Sequence, residues 1–253
     1  MNFLFLIKIR IATILLCVAA LAGCEPNASF ESTEQIPVGW NGGFTMPALL
    51  DSSNIALNSI DDLSKLMKAP WYADINVTHT KVGETAFSSC ADYFDKVEPN
   101  TRTTRDNEMS AYLEFKIMCE ATRLLLNASE SKESFLPGNV LSDDAPKMWP
   151  KEMALQISTE ESKRNAQNPE LKTWADVTPI IKHESQTEFS SIYSHKGGYQ
   201  KIEILGHGDA NNDGIEDIFI VSRDSVEGGN YFNMRLFVLS VNSQGKWDLI
   251  KAL

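Results

Sequence analysis

From Lys182 to the C-terminal Leu253 the chain changes rhythm, and apolar residues alternate or run together in strand-length pieces. The pieces are 187–194, 199–205, 216–223, 232–241 and 247–253, separated by turn formers such as Lys196-Gly197-Gly198, Gly228-Gly229-Asn230 and Asn242-Ser243-Gln244-Gly245. Links this short join antiparallel neighbours, because a parallel return needs a crossover of about a dozen residues or more. The pattern therefore predicts an antiparallel meander of four to five strands over residues 182–253.

Upstream the period is helical. Ser59 can cap a short helix over 59–68, with Leu63, Leu66 and Met67 on its apolar side and Pro70 ending it. Ser88 or Ser89 can cap a second over 88–97, carrying Ala91, Phe94 and Val97. A longer helix is expected from near Thr104 to Asn127, with Asp106 and Glu108 where the helix dipole favours acids. Its buried stripe reads Met109, Tyr112, Leu113, Ile117, Ala121, Leu124 and Leu125. Pro137, Gly138, Pro146 and Pro150 make 129–150 a surface loop. A further helix is expected over about 151–166, after which Trp174, Val177, Ile180 and Ile181 should bury the connection. Helices segregated ahead of a meander define an α+β fold: a mainly helical part over 46–181 and a β part over 182–253, together one domain. No internal repeat occurs, which argues against a solenoid or propeller.

The N-terminus sets the compartment. Residues 1–23 hold no carboxylate, and Lys8 and Arg10 precede the uncharged apolar segment 11–22, the order of an export signal. Leu21-Ala22-Gly23-Cys24 resembles the lipobox of the bacterial lipoprotein family. That resemblance implies cleavage before Cys24 and acylation of its thiol, and several acyl chains anchor a protein firmly to a bilayer. Glu25 in place of Asp implies the periplasmic face of the outer membrane if the cell is Gram-negative. Residues 24–45, rich in Asn, Ser, Glu, Pro and Gly, read as a flexible tether. Of four cysteines, Cys17 leaves with the signal and Cys24 takes lipid, so Cys90 and Cys119 are expected to form a disulfide in an oxidising compartment.

Between two strand-like pieces lies Asp209-Ala210-Asn211-Asn212-Asp213-Gly214-Ile215-Glu216-Asp217, which reads D-x-N-x-D-G-x-x-D. Oxygens at alternate positions point inward from a tight curl, and Gly214 permits a positive φ. Asp209, Asn211, Asp213, the backbone carbonyl of Ile215 and Asp217 would supply most of the six to eight hard oxygens Ca²⁺ takes. Position twelve is Ile220 inside a β-like run, which excludes a standard EF-hand. The loop instead resembles the calcium loops of the FG-GAP and VCBS families, which repeat the unit into propellers. A single copy occurs here, so the resemblance implies the ion site and not their fold. The ion is expected to be one structural Ca²⁺.

Charge narrows the partners. Removing residues 1–23 takes Lys8 and Arg10, leaving 21 basic residues against 34 acidic ones, a formal charge of −13. Nucleic acid, which demands a basic face, is disfavoured. No zinc spacing, nucleophile elbow or phosphate-cradling glycine loop occurs, and His79, His183, His195 and His207 are scattered. No catalytic residue is assigned. The expectation is a membrane-anchored, non-enzymatic, calcium-stabilised module that binds another envelope protein. One version is an immunity or inhibitor protein against an envelope-targeted toxin, and the rival class is an envelope hydrolase whose acids meet only in three dimensions.

Overall fold

The computed structural model describes residues 34–41 and 59–253. Cys24, the export signal and most of the expected tether lie outside them. The tether residues that are described take part in the sheet: β1 (Gly39–Trp40) pairs antiparallel with Gly206 and His207, and Ile36 bridges Ser131. A Cβ on Gly206 would stand 2.3 Å from the Gly39 carbonyl oxygen, so only glycine admits this approach.

Around the sheet, in chain order, come α1 (Leu63–Leu66), the hairpin β2 (Ile75–His79) and β3 (Gly83–Phe87), α2 (Cys90–Lys96), α3 (Met109–Asn127), α4 (Ala145–Met148), α5 (Thr159–Gln167) and α6 (Trp174–Val177). The sheet itself is a continuous antiparallel meander of six strands: β4 (Ile180–Thr187), β5 (Ser190–His195), β6 (Gly198–Gly208), β7 (Asp217–Val226), β8 (Phe232–Val241) and β9 (Trp247–Ala252). The fold is α+β, with one strand more than the meander predicted from sequence.

That extra strand corrects the expected strand at 187–194. The chain reverses at Glu188 and Phe189, so β4 runs before the turn and β5 after it. Strand β4 is an edge with most residues exposed, and without a buried face it carries no alternation to read. Ile181, expected to be buried, is 72% exposed on it, whereas Trp174 is fully buried.

Central strands are apolar on both faces. Phe219 and Val221 of β7, and Met234, Leu236 and Val238 of β8, face a core shared with α1, α2, α3 and the β2–β3 hairpin. Their neighbours Ile218, Ile220, Phe237, Leu239 and Val241 face a second core formed with the segment 135–177, which contributes Trp149, Met153 and Trp174. Burial on both sides explains the continuous run Ile218-Phe219-Ile220-Val221.

On the first face α3 packs mainly on β8. Its fully buried residues include Tyr112, Ile117, Ala121 and Leu125 as expected, together with Phe115 and Met118; Met109, Leu113 and Leu124 are only partly covered. A disulfide joins Cys90, at the start of α2, to Cys119 on α3 with Cα atoms 5.2 Å apart. Closing a loop of 29 residues contributes about 3–4 kcal/mol in the chain-entropy picture.

On the second face the expected helix over 151–166 divides. A 3₁₀ turn (Lys151–Met153) is followed by extended chain, and Ser158 then caps α5 by accepting from the Glu161 N–H at 3.1 Å. Side chains of the sheet take the carbonyls at this break. Arg235 Nη1 donates to Glu152 O at 2.8 Å, and Gln200 Nε2 and Arg235 Nη2 donate to Met153 O at 2.9 and 3.2 Å. These bonds anchor the extended stretch to β6 and β8.

Candidate functional site

The loop 209–216 connects β6 to β7, starting from the pair Gly208 and Asp217. Its curl is built by its own side chains. The Asp209 carboxylate accepts from the N–H groups of Asp213 (3.2 Å) and Gly214 (2.7 Å). Asn211 Oδ1 also accepts from the Asp213 N–H (3.2 Å), and Asp213 Oδ1 accepts from Ile215 N–H (2.8 Å). Asp217 reaches back across the mouth and accepts from Ala210 N–H at 2.9 Å. Gly214 at φ 87° and Asn212 at φ 63° complete the turn, at residue types that tolerate the left-handed region.

A second chain segment clamps the loop from outside. Ser129 and Asp209 exchange two backbone hydrogen bonds of 2.9 Å, and the Ser129 hydroxyl donates to Asn212 Oδ1 at 2.9 Å. Gly214 O accepts from the N–H groups of Lys132 (2.8 Å) and Glu133 (3.1 Å), and Glu133 O accepts from Glu216 N–H (2.9 Å). These contacts were not foreseen from the sequence, because hydrogen bonds between backbones leave no side-chain pattern.

The electrostatics are uneven. Asp217 is fully buried and Asp209 nearly so, while Asn211 and Asp213 are exposed. Burial pushes the Asp217 carboxyl up to about 6; the polar Ser240 side chain opposite it on β8 and the hydrogen bond from Ala210 oppose the rise, and the charges of Asp213 and Asp209 add to it. Its Oδ1 is buried without a hydrogen-bond partner. Each carboxylate oxygen that holds one N–H retains a second lone pair. Asp209, Asn211, Asp213, Ile215 and Asp217 thus lie along one glycine turn with an orphaned buried oxygen at Asp217, and carboxylate, amide and carbonyl oxygens are of the hard type that Ca²⁺ takes. As placed, no group of three or more His, Cys, Asp or Glu among the described residues is drawn together to hold a metal. The exposed side chains of Asn211 and Asp213 instead bond to each other, Nδ2 to Oδ2 at 2.9 Å.

His207, near the end of β6, places its Nδ1 2.6 Å from Glu216 Oε1. Burial alone would raise the Glu216 carboxyl, but hydrogen bonds from His207 and Ser134 and the His207 charge hold it below its ordinary range. Comparison with protein-family models, curated proteins and solved structures yields no match.

Proposed function

We propose that the chain is a lipid-anchored protein of the bacterial envelope, attached through acylated Cys24, whose sheet is braced by one structural Ca²⁺ and which acts by binding another envelope protein. The anchor rests on the lipobox. The metal rests on one observation above the others: the buried Asp217 Oδ1, without a hydrogen-bond donor, at the end of a turn that also carries Asp209 and Asp213. Three carboxylates on one loop repel one another, and a divalent cation reverses the sign of that repulsion. The metal would tie β6 to β7 and, through Ser129 and Glu133, to the segment that follows α3. Such a role is structural, because the protein donors nearly fill the coordination shell and leave little room for substrate.

Thermal melting in calcium and in chelator tests the metal. With calcium about 100-fold above its Kd, linkage raises stability by about 2.7 kcal/mol. Asp213→Ala, at an exposed position, is expected to melt at the same temperature in both buffers. Identical melting of the native chain in both buffers, with no calcium uptake by calorimetry, would falsify the proposal.

A further inference from the structure

Beside the calcium loop, on the second face of the sheet, lies a cavity of about 450 Å³ between the segment 136–141 and the strands β4, β6 and β7. Its volume is within the range of sites that enclose small organic molecules. Ile204 and Ile218 form its floor, with Leu141 beside them; these three are buried. Leu136, Val140 and Phe189 add a partly covered apolar wall.

Charge decides what such a cavity accepts. No lysine or arginine lines it. Its two imidazoles are each matched to a carboxylate: His207 to Glu216 at 2.6 Å, and His183 Nδ1 to Asp143. Glu188, exposed in the turn between β4 and β5, is the remaining carboxylate of the lining and has no ion pair among the described residues. The lining thus carries an excess negative charge at its rim over an apolar floor, within a chain that is strongly acidic throughout. We propose that this cavity binds a small organic cation, an apolar body bearing a protonated amine, with the body on Ile204 and Ile218 and the ammonium toward Glu188. Water screens a rim carboxylate, so Glu188 selects among ligands while the apolar floor supplies most of the affinity.

Three probes that share a phenylethyl body separate these contributions: phenethylamine, 2-phenylethanol and 3-phenylpropionate, titrated into the methyl-labelled chain by two-dimensional NMR in calcium and in chelator. The expected result is saturable phenethylamine binding that shifts the methyls of Val140, Ile204 and Ile218, with the alcohol weaker and the carboxylate weaker than the amine by about tenfold or more. Glu188→Gln, at an exposed turn, should bring the amine down to the level of the alcohol and leave the alcohol unchanged. Val140→Trp, which fills the cavity from a loop, should remove binding of all three. Failure of phenethylamine to saturate in both buffers, equal affinity for amine and carboxylate, or shifts confined to other methyls would each overturn the assignment. Chelator melting bears only on the metal, so the two proposals fail separately.

Discussion

The two faces of the central sheet are covered by different means. On one, α1, α2, α3 and a hairpin bring regular elements whose backbones satisfy themselves, and a disulfide staples two of the helices. On the other, a long segment with little regular structure lies over β5 to β9, and its carbonyls are satisfied by side chains. Arg235 takes Glu152 and Met153, Gln200 takes Met153, Tyr193 Oη donates to Ser142 O at 3.0 Å, and Tyr231 Oη donates to Gln156 O. An irregular layer can cover a core only if its backbone groups find partners, since each one buried without a partner costs about 1–3 kcal/mol. The first face depends on helix packing, and the second on a few polar side chains set within apolar strands.

The sharpest way to break this contrast is at Arg235, which is nearly buried and pairs Nη2 with the fully buried Asp224 at 2.8 Å. Arg235→Met keeps the bulk but leaves Asp224 uncompensated and the Glu152 carbonyl without its donor. The expected cost is about 3–5 kcal/mol in urea unfolding. Hydrogen exchange should quicken first over 151–157, while α3 stays protected. The double variant Asp224→Leu with Arg235→Met should recover part of the loss, because it removes the unpaired charge.

Replacing both Cys90 and Cys119 by alanine tests the opposite face. The loss should be about 3 kcal/mol, with exchange quickened in α2 rather than in the irregular layer. Equal acceleration on both faces would mean that the two coverings unfold as one unit.

A smaller effect, opposite in sign between two buffers, is expected at the loop that joins the layers. Asp217 is raised to about 6 when folded, so its charge opposes folding above that pH and the penalty fades as pH falls toward 4. In chelator at pH 7.5, Asp217→Asn should therefore melt a few degrees above the native chain, and the advantage should shrink below pH 6 and be gone by about pH 4. In calcium the same variant should melt below the native chain. A variant that is less stable in both buffers at pH 7.5 would show that Asp217 is already satisfied without metal.

These contrasts track what the sequence made legible. Helix α3 and strands β6 to β9 were readable because burial on one stripe, or on both faces, imposes a period. The pairing of Cys90 with Cys119 followed from elimination, and the structure brings them together. The turn at 209–217 was readable because its hydrogen bonds are local, whereas Ser129, Lys132 and Glu133 clamp it mainly through backbone groups that no residue type marks. The extended stretch 154–158 was hidden for a related reason. Met153, Ala154 and Ile157 have helical spacing, but the carbonyls of Glu152 and Met153 are bonded to Arg235 and Gln200, far along the chain. The short strand β1 falls inside a segment of loop composition, and the hairpin of β2 and β3 occupies a stretch between two helical patterns.

The smallest test uses one chemical change on both faces. Ser89 caps α2 by accepting from Asp92 N–H, and Ser158 caps α5 by accepting from Glu161 N–H, each at 3.1 Å. Removing either hydroxyl costs its own helix about 1 kcal/mol. Helix α2 buries Cys90 and Tyr93 and is bonded covalently to α3, so Ser89→Ala should lower global stability by that amount. Helix α5 buries none of its residues, and its C-terminal carbonyls at Asn165, Ala166 and Asn168 are held by the Lys151 ammonium at 3.0 to 3.3 Å. Its opening is therefore local. Ser158→Ala should quicken exchange within 159–167 and leave the urea midpoint where it was. Equal midpoint shifts for the two serines would mean that α5 unfolds only with the whole domain, and that the irregular face is as cooperative as the helical one.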